Sequence, residues 1–190
     1  MTVIGKKEHL LQTALRLFAA EGLAVPTSQI AKTAGVANGT LFNHFPTKQN
    51  LIDTLYLETK TEVVQVFLAG GARTAGSLKQ SSFVIWNGYI RWAIKHPLKH
   101  RVMNLFNTAQ VLSPEVLAKV DDLLKPLYEL VQKGISSGEI VDIGFDYLYQ
   151  IKAAQMLVAI DQALARRLKG KALEAHIRTG FQIYWKGVAA

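Results

Sequence analysis

There is no cysteine among the 190 residues. That excludes a disulfide framework, a thiolate nucleophile and any cysteine-bound metal. No apolar run approaches the roughly 18–20 residues of a membrane span. The N-terminal MTVIGKKEHLLQTALRLF has no uninterrupted apolar core of the signal-peptide kind. A cytoplasmic protein without a membrane partner is the expectation. Phosphate-binding P-loops, a Gly-rich dinucleotide fingerprint and a Gly-x-Ser-x-Gly elbow are all missing. Ser136-Ser137-Gly138 reads as a loop, not a nucleophile site. Nothing marks an enzyme or a cofactor. Acidic residues are absent from Val63 to Pro114, where six basic ones stand: Arg73, Lys79, Arg91, Lys95, Lys99 and Arg101.

What is present is helical periodicity. Leu10, Ala14, Leu17 and Phe18 share one face of a helix of about fifteen residues that starts near Lys6 and ends at Gly22. Pro26 suits the first turn of a second helix reaching about Ala34. A third covers about Asn38 to His44 before Pro46 breaks the chain. Thr47 reads as the N-cap of a long fourth helix running to about Leu68. The Gly/Ala-rich AGGARTAG at 69–76 is the clearest break. Everything after Ser77 reads helical. Boundaries fall at His96-Pro97, at Ser113-Pro114 and at 136–139, and Pro126 should kink or divide its helix. Ile140 to Phe145 leans to β locally but reads as a loop and helix start, with no second strand to pair. The last helices cover about 145–168 and 171–187. The fold class is all-α with about nine helices.

The stretch TSQIAKTAGVANGTLFNHFPTKQNL, Thr27 to Leu51, carries the sharpest pattern. Ile30 and Ala31 end one short helix, Gly35 permits a positive φ at the turn, and Val36, Leu41 and Phe45 pack a second helix back on the first. That arrangement leaves Asn38, Thr40, Asn43 and His44 on an outer polar face able to meet base edges. Thr40 offers a hydroxyl to phosphate or a methyl to thymine, Asn43 can pair with adenine, and Gly39 lets the backbone approach. Lys48, in the first turn of the fourth helix, completes an anion site with that turn's N–H groups. Residues 1–114 hold twelve Lys/Arg against five Asp/Glu, and 115–190 hold ten against nine, so the positive excess is N-terminal. That bias suits a polyanion partner, or simply a solvated basic surface.

AKTAGVANGTLFNHFPTKQNL resembles the N-terminal DNA-binding motif of the tetracycline-repressor (TetR/AcrR) family, over about Lys6 to Leu55. The resemblance implies a helix-turn-helix DNA-binding domain at 1–46, a connecting helix at 47–68, and an effector-binding and dimerisation domain at 69–190. It further implies a homodimer through the last two helices, a near-palindromic double-stranded operator, and release by a small-molecule effector. Repression is the expected sign. By the same resemblance Lys48 is the foremost phosphate contact and Thr27 the next. Three departures from the family pattern stand out. Phe42 and Asn43 occupy the positions of a family aromatic pair whose phenols bond phosphate, so Phe42 can pack on sugar but donates nothing. The 23–26 connector is one residue short. Ala37 replaces a serine cap, leaving Asn38 as the candidate cap. The alternative reading is a small-molecule-binding helical protein whose DNA binding is weak or lost.

Outside this motif, Trp86, Tyr89, Phe106 and Gln155 are the candidate effector-pocket residues, aromatic walls with a polar handle. The basic run 73–101 could add long-range attraction to DNA, bind an anionic ligand, or do neither. His96 and His100 have a spacing known from zinc sites, but HPLKH lacks a carboxylate, so no metal site is expected.

Overall fold

A computed structural model of the chain describes residues 5–70 and 77–190. Among these residues there are nine α-helices and no strand: α1 Lys6–Glu21, α2 Thr27–Thr33, α3 Asn38–His44, α4 Lys48–Gly70, α5 Leu78–Lys95, α6 Pro97–Ala109, α7 Pro114–Ser136, α8 Phe145–Ala165 and α9 Gly170–Val188. A single isolated bridge joins Ile140 to Ala189. The expected start of the body domain, in 69–76, lies mostly outside the described residues, as does Arg73.

The chain forms two compact units, Met1–Thr61 with His96–Val120, and Glu62–Lys95 with Asp121–Ala190. In the first, α1 packs against α2, α3 and α6. Its core holds Leu10, Phe18, Ile30, Leu41, Phe45, Leu51 and Phe106, each at most 1% exposed. Phe18 and Phe106 meet edge to face at 5.7 Å. The helix-turn-helix therefore shares its core with α6, a segment from the sequence beyond the connecting helix. The start of α4 is braced to the same partner. Gln49 Nε2 donates to the Val111 carbonyl at 2.8 Å and to Asp53 Oδ1 at 2.9 Å, and Tyr56 Oη donates to Asn107 Oδ1 at 2.8 Å.

In the second unit α5, α8 and α9 pack on one another. Trp86, 1% exposed, stacks on Tyr184 at 5.5 Å and donates through Nε1 to the Ile177 carbonyl at 3.2 Å. Burial pushes the Tyr184 phenol up to about 12. A Cβ on Gly180 would come within 3.2 Å of the Trp86 ring, which is why α9 is smallest there.

Side-chain caps start three of the nine described helices, α4, α5 and α7. Thr47 Oγ1 accepts the Asn50 N–H at 3.0 Å, Ser77 Oγ the Gln80 N–H at 3.3 Å, and Ser113 Oγ the Val116 N–H at 3.3 Å. One expectation needs correction and another is narrowed. Asn38 does not cap α3: Ala37 is the N-cap and no side chain satisfies it, because Asn38 is already the first helical residue. Of the two outcomes expected at Pro126, a kink or a division, division is excluded: α7 is continuous from Pro114 to Ser136. Proline withdraws one N–H, and the remaining turns keep theirs.

Candidate nucleic-acid interface

Gly35 builds the turn between α2 and α3. At φ +67° it donates to the Lys32 carbonyl at 3.1 Å, and Val36 donates to the Ala31 carbonyl at 3.0 Å. This paired closure of a helix C-terminus needs a left-handed residue, and glycine adopts that conformation without a Cβ penalty. The turn aims α3 so that Leu41, at 0% exposure, faces inward, and Phe45, at 1%, seals its end.

The opposite face of α3 is open. Asn38, Gly39, Phe42, Asn43 and His44 are exposed, and Thr40 is half-buried. Among the described residues, the polar side chains of Asn38, Thr40, Asn43 and His44 make no hydrogen bond to the protein. A helix of seven residues with its donors and acceptors uncommitted on one side is suited to a partner rich in both. Phe42, 40% exposed, adds an apolar contact to that face.

Thr27 is half-buried at the first position of α2. Lys48 is half-buried as well, because its Nζ donates to the Leu23 carbonyl at 2.5 Å and lies 5.9 Å from the Phe18 ring centre. The side chain staples the start of α4 to the α1–α2 connector. One of its three N–H bonds is used there, which leaves two for an anion.

Charge does not follow the sequence order. The unit containing α3 holds nine Lys/Arg against five Asp/Glu, and the other holds thirteen against nine. Of the basic run, Lys99 and Arg101 belong to the α3 unit; Lys79, Arg91 and Lys95 belong to the other. The N-terminal excess counted along the chain becomes an even division between the units.

The four candidate pocket residues are scattered. Phe106 is sealed at 0% exposure against Phe18 in the first unit. Trp86 and Gln155 line a groove of about 460 Å³ between α8 and α9, with Ala154, Val158, His176 and Ile183. Tyr89 stacks on Trp92 at 5.8 Å and touches Phe67 edge to face at 5.9 Å. Phe67 itself lines a different cavity of about 230 Å³, with Leu68, Ile85, Leu127, Leu130 and Lys133. Periodicity could not find this cavity, because its walls come from α4, α5 and α7 and its apolar wall residues read as ordinary core. His100 is buried and hydrogen-bonded to Asn104 at 3.0 Å. Among the described residues no group of three His, Asp or Glu could hold a metal, and no helix is long and apolar enough to cross a membrane.

Residues 10–55 match the model of the bacterial regulatory proteins of the tetR family. Over 71 residues the chain is 31% identical to the HTH-type transcriptional regulator AcrR of Shigella flexneri, covering 37% of this chain and 33% of that protein. Over 52 residues it is 38% identical to the HTH-type transcriptional repressor KstR2 of Rhodococcus jostii, covering 27% and 26%. The matches thus span a third or less of those relatives' length. The crystal structure of a candidate tetR-family transcription regulator from Shewanella sp. PV-4 superposes with a TM-score of 0.88 at 29% identity, over 98% of this chain and 99% of that one. Residues 10–55 thus resemble the N-terminal region of the tetR-family regulatory proteins, and over its described residues the chain shares the helical fold of a tetR-family transcription regulator.

Proposed function

We propose that the protein is a ligand-responsive repressor that binds a near-palindromic double-stranded operator as a homodimer and is released by a small-molecule effector. The observation that carries DNA binding is the α3 face, whose polar side chains are exposed and uncommitted. In this reading Asn38, Thr40, Asn43 and His44 meet base edges and phosphates, Gly39 allows close approach, and Phe42 packs on sugar. Thr27 and Lys48 hold the backbone at the edges of the groove. Dimerisation uses α8 and α9, where Val158 is 62% exposed and Ile183 63%. The effector enters the α4–α5–α7 cavity. Helix α4 is the coupling element: its first turns are hydrogen-bonded to α6 and the turn after it, while Glu62, further along, accepts from Trp92 Nε1 at 2.9 Å. An effector that binds one arrangement of this helix more tightly shifts the population toward it. The boundaries 1–46, 47–68 and 69–190 serve as the functional division, with α6 structurally part of the DNA-binding unit.

The test is a mobility shift with the DNA flanking the protein's own gene. Retardation that weakens steeply with salt supports the regulator reading. No retardation at about 50 mM salt would favour the second reading, a helical small-molecule-binding protein that has lost DNA binding. Two observations favour that second reading: the phenols missing at Phe42 and Asn43, and the engagement of the Lys48 ammonium by Leu23.

Substitution at Lys48 separates its two roles. Lys48→Ala should weaken operator binding more than Phe42→Ala at equal folded fraction. It should also lower the slope of log affinity against log salt by about 0.9, the increment for one phosphate, while Phe42→Ala leaves the slope unchanged. An unchanged slope in Lys48→Ala would show that the residue acts only as a staple between α4 and Leu23.

A further inference from the structure

The basic run leaves Lys79 unassigned, and the fold gives it a setting. Lys79, Gln80, Phe83 and Val84 on α5 face Arg178, Phe181 and Gln182 on α9 across a cleft of about 370 Å³. The floor is aromatic: Phe83 and Phe181 meet edge to face at 5.1 Å. The Arg178 guanidinium lies 5.6 Å from the Phe83 ring centre, within cation–π range. The rim is cationic and unneutralised. Helix α5 contains no acid, and the single acid of α9, Glu174, is taken by Arg91 at 3.8 Å. Among the described residues neither Lys79 nor Arg178 has an acidic partner. Lys79 also lies in the first turn of α5, at the positive end of an 18-residue helix.

We propose that this cleft binds a small organic anion with a flat apolar ring, an aromatic carboxylate in chemical class. The ring would lie on Phe83 and Phe181, and the carboxylate would accept from Lys79 and Arg178. Arginine suits that role because its planar fork stacks on aromatic faces and still donates to a carboxylate in its plane. The site is separate from the α4–α5–α7 cavity and from the α8–α9 groove, which uses His176, Thr179, Gly180 and Ile183 on α9. It does not rest on the repressor reading, since binding is measured without DNA.

Calorimetric titration of the full-length protein with naphthoate and with neutral naphthalenemethanol tests it. Naphthoate should bind at least about tenfold tighter than the alcohol, the discrimination that charge-assisted hydrogen bonds supply. Lys79→Gln with Arg178→Gln should erase that difference, while Lys133→Gln in the other cavity leaves it intact. Both substituted cleft positions are exposed, so an unchanged thermal transition is expected. The proposal is overturned by equal binding of the two compounds, by full naphthoate affinity in the double variant, by loss of naphthoate affinity in Lys133→Gln, or by no binding of naphthoate.

Discussion

Phe18→Ala should destabilise the DNA-binding unit by about 3–5 kcal/mol, the range for removing a fully buried phenylalanine. Phe18 is 1% exposed, it packs edge to face on Phe106 at 5.7 Å, and the Lys48 ammonium stands 5.9 Å from its ring centre. Its loss opens a void where α1 meets α6, and it loosens the staple that holds the start of α4. A protein domain of this size is stable by only about 5–15 kcal/mol, so operator binding should fall with the folded fraction near 37 °C. Urea unfolding of the wild type and the variant gives the number. Phe42→Ala is the contrast: at 40% exposure it should shift stability by no more than about 0.5 kcal/mol. Phe106→Ala should match Phe18→Ala, and a double-mutant cycle should return a coupling of about 0.5–1.5 kcal/mol for the ring pair. A Phe18→Ala cost below about 1 kcal/mol would mean that α6 is not bolted to α1 through this pair.

Glutamate at Val158 and Ile183 together should leave the chain monomeric and reduce operator affinity by about 10²–10⁴-fold, the contribution of a second linked half-site. Both side chains are more than half exposed and line the α8–α9 groove. Large apolar groups left open on adjacent helices are the expected surface of a helix-to-helix interface across a two-fold axis. Two carboxylates per chain would meet their symmetry mates there and be desolvated. Because neither position is in the core, each chain should keep its helix content. Sedimentation equilibrium decides the matter, and a variant that stays dimeric would remove this face from the interface.

The legible part of the protein was the part governed by short sequence separations. Gly35, Leu41 and Phe45 specify the turn and the inner face of α3 through neighbours a few residues away, and α3 occupies Asn38–His44 as its apolar spacing predicts. Thr47 and Ser113 start α4 and α7 for the same local reason, a hydroxyl accepting an N–H three residues on. Even the error at Asn38 was local: one residue of helix phase separates a cap from a first-turn side chain.

The sequence by itself determined the helices, the turn and the polar face of α3. The tertiary structure alone decided which of these share a core. Phe106 belongs with Phe18, 88 positions earlier in the chain, and Trp86 belongs with Ile177 and Tyr184. It also showed that Lys48 is stapled to Leu23, and that Lys79 and Arg178 flank one aromatic cleft. Helical periodicity reports which face of a helix is apolar, because that face repeats every three to four residues. It does not report which partner covers the face, since any apolar surface of matching shape satisfies the same burial.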